Sequence, residues 1–141
     1  MSQVKSYQVE QKERIEIIQE ISTELQKEDK ILFAFVHGSF CSETFFRDID
    51  IGIFVHSMES SNYLNCGIEL SQKVESTLQF SYPIEVKVIN EAPLSFCFHV
   101  IQGELVFTRD EDFLTSYMML IAREYLDAAP LRFWYIQEAM K

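Results

Sequence analysis

The sequence predicts an α+β domain: a small mixed β-sheet packed with helices. Three observations carry this. Short apolar runs bounded by turn residues ("ILFAFVH", "DIDIGIFVH", "YPIEVKVIN") read as strands. Amphipathic stretches of helical period lie before, between and after them. Only about ten residues join the first two strands. That is short for a parallel crossover through a full helix, which favours an antiparallel or tightly turned pair.

In order, Val9 to Lys27 reads as a helix with Ile15, Ile18, Ile21 or Ser22, and Leu25 recurring between Glu, Gln and Lys. Ile31 to His37 suits a strand buried on both faces. Gly38-Ser39 breaks it, and "SFCSETFF" forms a turn or a short helix. Asp48 to His56 is the second strand. Ser60 or Ser61 caps a helix to about Phe80, with Tyr63 or Leu64, Gly67/Ile68, Leu70/Ser71, Val74 and Leu78 inward. Tyr82 to Asn90 is the third strand, and Pro83 suits its first residue. A turn at "EAP" leads to a short helix, "LSFCFHVIQ", ended by Gly103. "ELVF" is a short strand, and a long helix capped near Asp110 follows. Ala129-Pro130 interrupts it before a last helix, "LRFWYIQEAMK".

A length of 141 residues suits one domain over 1–141. Hydrophobic residues at 48% and charged residues at 24% supply a packed core. The formal net charge of −10 argues against direct nucleic-acid binding, which needs basic surface to replace counterions. It leaves room for a phosphate ligand bridged by a metal ion. Cys41, Cys66 and Cys97 lie far apart with no CxxC, as reduced thiols of a cytoplasmic protein would. The N-terminal stretch has no signal-peptide core, and no apolar run reaches the ~18 to 20 residues of a membrane span.

The chemistry concentrates between Phe33 and Val55. Asp48 and Asp50 are two apart on a strand, so both point to one face while Ile49 and Ile51 point to the other. Two carboxylates so close repel unless something neutralises them, and Mg²⁺, a hard oxygen-seeking ion, does so. Gly38 lets the backbone approach a ligand, and Ser39 adds a hydroxyl where a short helix could cradle phosphate. Glu85 shares a face with Lys87 and Ile89 on the third strand. If that strand lies beside Asp48 and Asp50, Glu85 becomes a third carboxylate, able to accept a proton or ligate a second metal. Lys87 could neutralise triphosphate charge. Each feature alone also describes an ordinary turn, a solvated strand edge or an exposed face. Their order along the chain points to chemistry.

The set Gly38-Ser39-Phe40, Asp48-Ile49-Asp50 and Glu85 resembles the DNA polymerase β-like nucleotidyltransferase superfamily. Within it the chain looks like the minimal nucleotidyltransferase (MNT) proteins. "VINEAPLSFCFHVIQGELVF" and "REYLDAAPLRFWYIQEAM" resemble the middle and C-terminal segments of that subfamily. The resemblance implies a polymerase β-like fold and an antitoxin that transfers AMP from ATP to a tyrosine of a partner HEPN ribonuclease toxin. It implies Gly38 and Ser39 on the nucleotide phosphates, Asp48 and Asp50 on Mg²⁺, and Glu85 as third carboxylate. The alternatives are an MNT protein that neutralises its toxin by binding alone, or nucleotidyl transfer to a small molecule. Three features depart from the pattern. Only eight residues, Phe40 to Arg47, separate Ser39 from Asp48. A glycine usual in that spacer is absent, and the third acid is Glu where Asp is commoner.

Arg47 could pair with the aspartates, touch a phosphate or sit on the surface. His37 reads as a hydrogen-bonded structural histidine, with a role near the nucleotide as the alternative, and His56 and His99 carry no ligand spacing. Phe133, Trp134 and Tyr135 cannot all face one core from a helix. The C-terminal helices, about 110–141, therefore either pack on the chain's own core or face a partner. Tyr117, Met118 and Met119 raise the same question.

Overall fold

Hydrophobic period and turn chemistry resolve into ten elements in the computed structural model, which describes residues 5–128 and 137–139. These are α1 (Gln11–Leu25), β1 (Ile31–His37), α2 (Ser39–Ser42), β2 (Ile49–Val55), a 3₁₀ turn (Ser60–Asn62), α3 (Tyr63–Thr77), β3 (Ile84–Val88), α4 (Leu94–Ile101), β4 (Glu104–Thr108) and α5 (Glu111–Asp127). The expected last helix and its Phe133-Trp134-Tyr135 trio lie outside the described residues.

The four strands form one sheet in the order β3-β2-β1-β4. β1 runs antiparallel to β2 and β4, as the short β1–β2 connection requires, while β2 and β3 are parallel. The sheet is therefore mixed, and the 28 residues between β2 and β3 hold the crossover helix α3. One face carries Ala34, Val36, Ile51, Ile53 and Val86, covered by Ile17, Ile21 and Leu25 of α1 and by Leu70 and Val74 of α3. The other carries Phe33, Phe35 and Ile89 under Cys97 and Val100 of α4 and Leu114 and Ile121 of α5.

Several local expectations shift. The stripe on α1 is Ile17, Ile21 and Leu25, while Ile15 is exposed. Ile15 lies two positions from Ile17, about 200° round the helix. Before α3 comes the 3₁₀ turn at Ser60–Asn62, and no side-chain cap bond marks the helix start. Gly67, Leu70 and Val74 face inward there, leaving Leu64 and Ile68 exposed. β2 starts at Ile49, one residue after Asp48, and β3 at Ile84, one after Pro83. Asp110 caps α5 as expected, accepting from Phe113 N–H at 3.0 Å. Tyr117 and Met118 pack on the aromatic face, and Met119 is exposed. The three cysteines are free thiols.

Two details fix β3 beside β2. Ile49 N–H donates to Pro83 C=O at 2.9 Å. At the far end the Asn90 amide clamps Val55, accepting from its N–H at 3.0 Å and donating to its C=O at 2.7 Å. The outer edge of β3 is occupied by α3, where Glu75 accepts from Ile84 N–H and the Ser71 hydroxyl accepts from Val86 N–H. Among the described residues no helix is long and apolar enough to cross a membrane.

Candidate active site

Strand register builds the site. Asp50 is paired with His37 on its antiparallel side and with Glu85 on its parallel side. His37, Asp50 and Glu85 thus form one rung across three strands, with side chains on one face. Asp48, just before β2, joins them. Asp48, Asp50 and Glu85 each offer a carboxylate oxygen within 4.8 Å of the others. The expectation that Glu85 reaches the aspartates therefore holds. Such a donor set suits a hard divalent cation, which takes oxygen ligands.

The next rung is Phe35, Gly52 and Lys87. Gly52 leaves space that α4 uses, since a Cβ there would lie 2.8 Å from Val100 Cγ1. This close approach seats α4 on the sheet beside the carboxylates. A cleft of about 290 Å³ results, lined by His37, Asp48, Asp50, Ile51, Glu85, Lys87, Phe96 and His99. Lys87 Nζ lies 3.2 Å from Glu85 Oε1 and 5.5 Å from the centre of the Phe96 ring.

Gly38 closes the site from the β1 side. Its φ of +78° is a conformation L side chains rarely adopt, and a Cβ there would lie 2.6 Å from Asp50 Oδ2. The eight-residue spacer nonetheless spans the gap. Phe40 and Phe46, both buried, pack edge to face at 4.9 Å, and Phe46 bridges to Tyr7. Ser39 opens the single turn of α2, and its C=O accepts from Glu43 N–H at 2.9 Å. Ser39 is not part of the cleft lining. Arg47 is exposed and makes no ion pair among the described residues.

Electrostatics mark the same cluster. Burial first, then the charges of Asp48 and Glu85, push the Asp50 carboxyl from 3.8 up to about 6, against the pull of Lys87. Burial, then His99 and Lys87, lower the His37 imidazole from 6.5 to about 4, so it is neutral near pH 7. His37 was expected to be hydrogen-bonded, yet its buried Nδ1 has no hydrogen-bond partner. Its ring instead stands edge-on to Phe96 and His99, at 5.5 and 5.2 Å. Phe96 and His99 join the site without any ligand motif in the sequence. Their i, i+3 spacing on an apolar helix is the one sequence signal that places them together.

The family described as Polymerase beta, Nucleotidyltransferase matches residues 19–112. No curated protein sequence matches the chain. Among solved structures, the chain is similar to one in the complex of tri-AMPylated Shewanella oneidensis HEPN toxin with MNT antitoxin. That match has a TM-score of 0.67 at 17% identity and covers 91% of this chain and 99% of the other. A toxin–antitoxin structure with AMP-PNP gives 0.68 at 19% identity, covering 88% and 98%. The toxin–antitoxin pair MntA-HepT gives 0.64 at 17%, covering 94% and 100%. At these identities the likeness shows a shared fold.

Proposed function

Because this chain belongs to the polymerase beta nucleotidyltransferase family, we propose that it is an antitoxin-type protein adenylyltransferase. It transfers AMP from ATP to a tyrosine of a partner HEPN ribonuclease toxin in the cytoplasm and so neutralises the toxin. The observation that carries this reading is the convergence of Asp48, Asp50 and Glu85 in one cleft, with Gly38 packed against Asp50. The kinship in fold with chains from toxin–antitoxin complexes, one of them an AMPylated HEPN toxin with its MNT antitoxin, supports the choice of partner and reaction.

Asp48 and Asp50 hold Mg²⁺, with Glu85 as a third carboxylate. When bound, the ion offsets charge on the carboxylates and on the phosphates. Lys87 and the Gly38-Ser39 turn orient the triphosphate. Glu85 takes the proton of the tyrosine hydroxyl as its oxygen bonds to the α-phosphorus. The bond from that phosphorus to the bridging oxygen breaks, and pyrophosphate leaves.

The test uses the purified chain, a HEPN protein encoded by an adjacent gene, and ATP labelled at the α-phosphate. Label is expected on a toxin tyrosine, and is lost with Asp48→Ala plus Asp50→Ala. Transfer that survives both substitutions refutes the mechanism. Neutralisation that needs neither ATP nor the aspartates establishes the binding-only alternative instead.

A further inference from the structure

We infer that His37 is the nucleoside-recognising residue of the cleft, hydrogen-bonding the ribose or base of the bound nucleotide while Phe96 and His99 form the wall beside it. The inference rests on the proposed nucleotidyl transfer and names how that site reads its nucleotide. Among the described residues His37 is the sole buried polar or charged residue, 4% exposed, and its Nδ1 has no hydrogen-bond partner. A buried donor or acceptor left unmade costs stability, so a polar ring is a poor choice for packing alone. The ring lines the cleft, sharing it with three carboxylates and Lys87. Those charged groups suit a metal and phosphates. The three rings of His37, Phe96 and His99 make up a less polar part of the lining, suited to a sugar or a base. His37 also ends β1 next to Gly38, so a nucleotide whose phosphates meet Gly38 and Asp50 passes its nucleoside along this wall.

The experiment measures binding of Mg²⁺–AMP-PNP and of Mg²⁺–tripolyphosphate to the full chain by titration calorimetry. His37→Leu keeps apolar bulk without ring nitrogens, and His37→Asn keeps an amide near the Nδ1 position. Leu is expected to weaken AMP-PNP about tenfold, the size of one lost hydrogen bond, and to leave tripolyphosphate unchanged. The Leu variant should melt no lower than wild type, because the unpaired polar atom is gone. His37→Asn should bind AMP-PNP within about threefold of wild type. Wild-type affinity for AMP-PNP in a folded Leu variant overturns the inference. Equal weakening of both ligands also overturns it, since His37 would then serve the phosphates. If Leu does not fold, His37→Phe, a ring without nitrogens, carries the test, and wild-type affinity for AMP-PNP in it overturns the inference. Wild-type protein that binds no nucleotide overturns the proposed function as well.

Discussion

Asp50→Asn should stabilise the metal-free protein while abolishing its metal response. The carboxyl is half-buried between two like charges, and its pKa rises from 3.8 to about 6 on folding. The folded state therefore holds a proton that the unfolded chain has already released, and stability falls as pH rises from 3.8 through about 6. Above that window the penalty is complete. The shift corresponds to about 3 kcal/mol at full strength. Solvent screening of a half-buried group brings the expected effect to about 1 kcal/mol. Asn removes the charge at nearly constant shape. In urea unfolding with EDTA, the variant should be about 1 kcal/mol more stable than wild type at pH 7.5, or about 3 °C in Tm. The gain should vanish near pH 4, where wild-type Asp50 is protonated when folded. Saturating Mg²⁺ should reverse the order at pH 7.5, because only the wild type gains binding free energy. A variant equally or less stable than wild type at pH 7.5 without metal refutes the electrostatic account.

Gly38→Ala should cost about 1–3 kcal/mol from the backbone alone, because φ +78° with ψ −153° is a region open essentially to glycine. It should also weaken Mg²⁺ binding, because its Cβ would fall 2.6 Å from Asp50 Oδ2. Urea unfolding and calorimetric Mg²⁺ titration separate the two effects. Gly52→Val should destabilise by about 1–3 kcal/mol through overpacking. Its Cβ would press on Val100 at 2.8 Å and lift α4, so a weaker near-UV circular dichroism signal from the stacked Phe98–Tyr125 pair should accompany the loss. The double aspartate substitution and the His37 pair complete the set, each read by transfer or by binding.

Much of the fold is legible in residue periodicity. "ILFAFVH" and "DIDIGIFVH" announce strands because they are short, rich in β-branched and aromatic residues and bounded by turn residues, and Asp48-Ile49-Asp50 announces a shared face because strand side chains alternate. Helix faces are harder to read. Ile15 and Ile17 are equally apolar, and only the direction in which α1 meets the sheet buries Ile17 and exposes Ile15. The spacer "FCSETFFR" shows three phenylalanines with no hint that Phe40 and Phe46, rather than Phe45, pack on each other and close the loop at eight residues.

The residue types of the site and the faces they occupy are local properties, legible along each segment: two aspartates on one strand face, an acid and a lysine on another, a glycine where β1 turns away. Three relations were decided only by tertiary structure. The register of β1, β2 and β3 put His37, Asp50 and Glu85 on one rung. The missing side chain of Gly52 admitted Val100 and seated α4, bringing Phe96 and His99 to the cleft. Burial left His37 Nδ1 without a hydrogen-bond partner and raised the Asp50 pKa. Each depends on pairing between segments far apart in the chain. Periodicity along one segment specifies which way a side chain points, but not which neighbour it meets or how much water remains around it.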